Sequence, residues 1–348
     1  MDSPEQNVVR WTPARLFTAD VTADADRVRC QVCPFRCRLE PGQVGACRVR
    51  RGGPAGTMQT ATFGSAVHHF DAVERKPFYH VRPGGSVLTL ASPGCSFRCD
   101  YCINHRVSQY GRDERLPWTA RPVDPAVIVA EAAERGADVA LSYTEPSLAI
   151  ELTLALADAG RSAGVSVLWK SNGFLTPEAT AEAAGAVRAV NIDVKAADDD
   201  THRELTGAPL APVVEALGAF VDAGVWVEVS TPLVPGVSAS PEQLTRIADM
   251  IANVSPDIPW HLLRWTPGFR RTGGDPTSPQ ALAAAVELAV GRGLRFVYVE
   301  RALGAGGRST LCPGCGDVLI RRGIWSLEAM SLHAGRCPGC ERPIPGRW

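Results

Sequence analysis

Eleven cysteines stand in three groups with none left over: Cys30, Cys33, Cys37 and Cys47; Cys95, Cys99 and Cys102; Cys312, Cys315, Cys337 and Cys340. Each outer group offers four thiolates, enough to close a tetrahedral metal site or to ligate a whole cluster. The middle group reads GCSFRCDYCIN, a CxxxCxxC triplet that can hold three corners of a four-iron cluster and leave the fourth iron without a protein ligand. This division predicts one reactive metal site and two closed ones. A disulfide framework is the other use for so many cysteines, but it belongs to short secreted chains that lack a core. This chain has 348 residues, 45% of them hydrophobic.

Residues 1–29 contain no apolar signal-like segment, and no apolar run is long enough to span a bilayer. We therefore expect a cytoplasmic, reducing setting and no membrane partner. A formal net charge of −1 gives no basic excess, so no nucleic-acid partner is expected.

From Ser86 onward, short β-rich runs alternate with longer Ala-rich amphipathic segments. Strands are expected near Ser86–Ala91, Asp138–Tyr143, Val165–Lys170, Ala189–Val194, Val225–Thr231, Trp260–Trp265 and Arg295–Val299. Helix starts are marked at Asp124-Pro125, Thr176-Pro177, Ser240-Pro241 and Ser278-Pro279, where a capping side chain precedes a proline whose fixed φ suits the first turn. Gln243, three residues after Ser240, suggests a capping box. Repeated β-then-α units imply an α/β fold of parallel strands covered by helices, either a barrel or a doubly wound sheet. Both gather their chemistry at the carboxyl ends of the strands, and Cys95 lies just past the first one.

The triplet, in one loop bracketed by Gly94 and Asn104, resembles that of the radical SAM superfamily. The resemblance implies a partial (β/α)6 TIM-like barrel and a [4Fe-4S] cluster on Cys95, Cys99 and Cys102. It implies S-adenosyl-L-methionine chelated to the open iron and cleaved reductively to a 5′-deoxyadenosyl radical that takes hydrogen from substrate. It also gives roles to residues after later strands. Glu145, in Tyr143-Thr144-Glu145-Pro146, would meet the methionyl amino group, or else serve as an ordinary helix N-terminal carboxylate. Ser171 and Asn172 would contact the ribose, although alone they read as a turn. Asp193 and Lys195, two apart and so on one face of a strand, resemble the Asp-x-Lys motif of glycyl-radical activating enzymes; the alternative is a salt-bridged strand end. Leu233–Gly236 and Tyr101 would pack on adenine.

The knuckles Cys312-Pro-Gly-Cys315 and Cys337-Pro-Gly-Cys340 predict a zinc-ribbon or rubredoxin-like module, with zinc preferred over a single iron and a folding free energy supplied by the metal. The first group suits either zinc or an auxiliary iron-sulfur cluster, and we favour a structural metal there. With the run Glu74–Gly84, Pro259-Trp260-His261 and the ending Ile344–Trp348, the chain resembles end to end the AmmeMemoRadiSam-system radical SAM group, whose core is similar to that of the pyruvate formate-lyase activating enzyme. The expected division is a Cys-rich segment at 1–60, a core at 61–305 and the ribbon at 306–348.

Lys76, His80, His261 and Arg264 are candidate substrate contacts, and Lys195 and His261 join the cysteines as candidate catalytic groups. His261 and Arg264, three apart, must point to opposite faces of a regular strand. The chain departs from the group's pattern at Thr144, at Ile103 where relatives carry glutamine, and in the Gly-rich Glu300–Arg308. Three functions follow: hydrogen abstraction from a small molecule, activation of a glycyl-radical partner protein, or a non-catalytic zinc-ribbon binding module. The first two need an electron donor such as flavodoxin or ferredoxin.

Overall fold

The computed structural model describes residues 10–20, 26–112 and 120–348. Its centre is an eight-stranded sheet whose spatial order follows the chain. The strands are β1 (His68–Ala72), β2 (Ser86–Leu90), β3 (Asp138–Leu141), β4 (Val167–Ser171), β5 (Val187–Asp193), β6 (Trp226–Leu233), β7 (Trp260–Arg264) and β8 (Val297–Tyr298). From β2 onward every neighbouring pair is parallel, and β1 runs antiparallel along β2. Between them lie α1 (Pro125–Glu134), α2 (Ile150–Ala163), α3 (Pro177–Ala184), α4 (Asp199–Thr206), α5 (Ala211–Asp222), α6 (Pro241–Val254) and α7 (Pro279–Gly291). A doubly wound sheet reverses its strand order at a switch point; this sheet never does. Crossovers of one hand that always advance in one direction put their helices on a single face. The other face is left for the site.

All seven expected strands are present, and two details differ from expectation. The sheet begins one strand earlier, at His68–Ala72, whose HHFDA, with two residues exposed and three half-buried, lacks the apolar alternation that marks a strand in sequence. The last strand shrinks to Val297–Tyr298. All four marked helix starts are capped: Asp124, Thr176, Ser240 and Ser278 accept the backbone N–H of Ala126, Ala179, Gln243 and Ala281. The capping box is half made. The Gln243 side chain turns instead to the loop after β5, accepting Ala197 N at 2.7 Å and donating to Asp198, because that loop packs over the start of α6.

Alternation along the strands separates the two faces. Val167, Trp169, Val190, Ile192, Val227, Val229, Trp260 and Leu262 join the helices in the main core. On the other face, Val87, Ala140, Leu168 and Ala189 form an apolar layer toward the amino ends of the strands, closed by Val73, Phe78 and Val81 of the segment between β1 and β2. That segment is a plug held by its backbone: Glu228 accepts Tyr79 N and His80 N at 2.9–3.1 Å, and Asn191 Nδ2 donates to Pro77 O at 2.7 Å. Toward the carboxyl ends the same face turns polar, with Lys170, Asn191, Asp193, Ser230 and His261.

The flanking segments are fastened to this core. Val28, Val32, Leu39, Val49 and Met58 share the main apolar core with the helices. Arg50, 1% exposed, contacts both carboxylate oxygens of Glu151 at 3.0 Å. The C-terminal ribbon pairs Thr310–Leu311, Val318–Arg322 and Leu327–Met330. Its small core of Cys312, Leu319, Ile320, Cys337 and Ile344 borrows Tyr79, Phe296 and Tyr298 from the rest of the chain. Among the described residues no single helix is long and apolar enough to cross a membrane.

Candidate active site

The chain leaves β2 into the loop that carries Cys95, Cys99 and Cys102. Gly94 enters it at φ +92°, and a Cβ there would lie 2.9 Å from the Cys47 carbonyl and from Val49. Only glycine fits. Cys95 Sγ receives the Phe97 N–H at 3.4 Å and the Asn172 side-chain amide at 3.6 Å. Ser108 Oγ accepts from Gln109 Nε2 at 3.2 Å, which leaves its own proton for Cys102 Sγ at 3.2 Å. Arg112 clamps the loop, donating to Phe97 O at 2.7 Å, Cys95 O at 2.5 Å and Ala46 O at 3.1 Å. Burial pushes the Cys99 thiol up to about 12 against the pull of Lys195, and burial with the Glu145 charge raises Cys95 further. Thiols held this high stay protonated at neutral pH unless a metal takes the proton's place.

Three later loops converge on this one. Glu145, after β3, hands its N–H to Gly94 O at 3.1 Å. Its buried carboxylate accepts Ser147 N at 3.0 Å, Ser171 Oγ at 2.8 Å and Asn172 N at 2.8 Å. It therefore caps the turn at Pro146–Ala149 and also ties the loop after β3 to the loop after β4. Burial raises its pKa, working against those hydrogen bonds. Ser171 and Asn172 are themselves engaged: Ser171 Oγ accepts Gly173 N, and Asn172 reaches Ser96 Oγ at 2.9 Å as well as Cys95. After β5, Asp193 lies between two ammonium groups, bonded to Lys170 and, at 2.9 Å, to Lys195. Burial lowers Lys170, whereas Lys195 is raised because Asp193 outweighs its burial. Tyr101 is buried with its ring 6.0 Å from Lys195 Nζ, and its hydroxyl has no hydrogen-bond partner among the described residues.

A sequence profile of the Radical SAM superfamily matches residues 89–251. Uncharacterized protein MJ0808 of Methanocaldococcus jannaschii is 31% identical over 326 residues, covering 92% of this chain and 96% of that protein. The chain belongs to the radical SAM superfamily. It is accordingly an S-adenosylmethionine-dependent iron-sulfur enzyme. The isethionate sulfite-lyase activating enzyme of Oleidesulfovibrio alaskensis is 27% identical over 180 residues, 49% of this chain and 56% of that enzyme. A domain of the pyruvate-formate lyase-activating enzyme from Bacteroides vulgatus shares 20% identity over 47% of this chain and 98% of that one, with a TM-score of 0.40. That structural likeness is too slight to carry argument.

The site fits the radical SAM cofactors on its own chemistry: one buried and two half-buried thiols, with N–H and O–H donors to Cys95 and Cys102, and an orphaned phenol beside them. The remaining candidates lie elsewhere. His80 donates Nδ1–H to Pro345 O and accepts the Tyr298 hydroxyl at Nε2, both at 2.7 Å, which docks the plug to the ribbon. His261 contacts Glu228 at 2.6 Å within the same buried network. Arg264 points to the opposite, exposed side, as its spacing from His261 requires. Lys76 is buried beside the site's edge, bonded at 2.8 Å to both Asp71 and the hydroxyl of Tyr143, a residue held at φ +68°. Ile103 is 81% exposed and leaves the cluster loop for solvent. Sequence reading missed Arg112, Asn191 and the pairing of Lys170 with Asp193. Only Lys170 carried a signal, a lysine on the same inward face as the Asp-x-Lys pair of the neighbouring strand.

At the other end, the four sulfurs of Cys312, Cys315, Cys337 and Cys340 all lie within 4.8 Å of one another, a group able to hold one metal ion.

Proposed function

We propose that Cys95, Cys99 and Cys102 hold a [4Fe-4S] cluster at the mouth of a partial barrel formed by β2–β7, and that the enzyme abstracts hydrogen from a small molecule seated on the polar inner face. The observation that carries this reading is the convergence of a three-thiol loop with Glu145, Asn172 and the Lys170–Asp193–Lys195 group at the carboxyl ends of the strands. When bound, the cluster and S-adenosylmethionine supply a 5′-deoxyadenosyl radical through one-electron cleavage of the sulfonium.

The chain's own residues prepare the space. Asn172 orients Cys95 and rigidifies its loop. Glu145, with three hydrogen bonds accepted, keeps a lone-pair direction for the amino group of the ligand. Lys195 offers a permanent positive charge beside Cys99, and Tyr101 a phenolic donor. The plug of Val73–Val81 closes the amino end of the inner face, so water is excluded from where a primary carbon radical would form. Zinc in the Cys312–Cys340 group would be structural.

A second reading keeps the radical and makes the substrate a glycine of a partner enzyme. It is favoured by the likeness to isethionate sulfite-lyase activating enzymes and by Asp193-x-Lys195. Anaerobic protein with dithionite and S-adenosylmethionine should release 5′-deoxyadenosine, and the variant Cys95→Ala, Cys99→Ala, Cys102→Ala should release none. Release unchanged in that variant would refute the assignment. A glycyl radical detected on a co-purified partner would select the second reading.

A further inference from the structure

The two outer cysteine groups differ in how their sulfurs are spaced. Ligands on one tetrahedral ion with bonds near 2.3 Å stand about 3.8 Å apart. The C-terminal four match this, with Cys312–Cys340 and Cys315–Cys337 both at 3.5 Å. Among the described residues no other group of ligands gathers within 4.8 Å. Yet the N-terminal four are neighbours: Cys30 N donates to Cys37 O at 2.9 Å, and a Cβ on Gly45, two residues before Cys47, would lie 3.6 Å from Cys37 Sγ. Neighbouring cysteines of which no three bring their sulfurs within 4.8 Å of one another suit a cuboidal cluster, whose ligands bind separate irons.

The surroundings are built for a buried anion. Arg50 lies in electrostatic reach of Cys30 and Cys47, and its Nε is buried with no hydrogen-bond partner among the described residues. An arginine already paired with Glu151 that still leaves a donor orphaned, in reach of Cys30 and Cys47, points to a negatively charged group not supplied by protein.

The quartet also sits against the reactive loop. Arg112 joins Ala46 O to Cys95 O, and the Cys47 carbonyl packs on Gly94. On the side of the loop after β4, Thr176 N donates to Val32 O at 3.2 Å, and Phe35 meets Phe174 edge-on at 5.0 Å between centroids. We propose that Cys30, Cys33, Cys37 and Cys47 hold a second iron-sulfur cluster, a one-electron centre docked on the loop of Cys95. This replaces the structural metal expected from sequence, and it rests on the reading that Cys95, Cys99 and Cys102 hold the catalytic cluster.

Metal content separates the two. Full-length protein reconstituted anaerobically with iron and sulfide should bind about eight iron as wild type and about four as the Cys95→Ala, Cys99→Ala, Cys102→Ala variant, each with about one zinc. The four-iron variant should bleach with dithionite and give a paramagnetic signal. Zinc or no metal in place of that iron overturns the proposal. Equal iron of about four in both proteins would keep it and reject the central assignment instead. If the triple variant does not fold, Mössbauer spectra of wild type decide: two clusters support the proposal, and one cluster with about two zinc overturns it.

Discussion

His80 is held neutral by its surroundings, and stability should therefore depend on pH. Burial lowers its pKa to about 4, against the pull of Glu228. Unfolded histidine titrates near 6.5, so as pH falls the unfolded chain takes the proton first. The contribution is whole above pH ~6.5 and is lost progressively toward pH ~4, on the order of 3 kcal/mol. Urea unfolding across that window should show the slope, and His80→Gln should flatten it. Asp193 carries the opposite burden, one carboxylate between the buried Lys195 and the half-buried Lys170. Asp193→Asn should cost ~3–5 kcal/mol, because Lys170 and Lys195 lose their counter-charge, and Lys170→Met in the same chain should restore part of it. The first role depends on partners far along the chain. His80 stood out in the sequence as a candidate ligand for substrate; its bonds to Pro345 and Tyr298 come from residues more than 200 positions away.

Helix starts are the elements whose local chemistry was most readable. Asp124, Thr176, Ser240 and Ser278 announced themselves beside their prolines, since a cap and its N–H lie within three residues. Replacing Ser278 by alanine should cost about 1 kcal/mol in denaturant unfolding. Thr176→Ala should cost about twice that, because its hydroxyl also donates to Gln31 O and fastens the N-terminal segment to α3. The ribbon is a different kind of element. Few of its side chains are buried, and free energy on the order of 10 kcal/mol from a four-cysteine metal site is available to fold it. Cys337→Ser or a strong chelator should therefore release any metal bound there, free Trp348 from its contact with His80 and red-shift its fluorescence. An unchanged spectrum after complete metal loss would mean the borrowed core alone holds the ribbon.

Across the whole molecule the three cysteine groups are joined by packing as well as by sequence. The N-terminal segment shares the main core and adds the buried Arg50–Glu151 pair, so Arg50→Met should destabilise by ~3–5 kcal/mol and open residues 10–60 to limited proteolysis before the strands of the central sheet are cut. The parallel order of β2–β8 was legible because βα repeats leave few topologies, while β1 was not, since an exposed edge strand carries no apolar period. Within the site, the thiols, Glu145 and the Asp193–Lys195 pair were legible, but the clamp by Arg112 and the plug by Val73–Val81 were not. By itself the sequence determined the chemistry available: residue types at short spacing in one loop decide which metals can be held. Tertiary structure alone decided which polar groups reach those thiols and which merely hold the fold, because a buried donor's partner is set by elements that meet only after the sheet has formed.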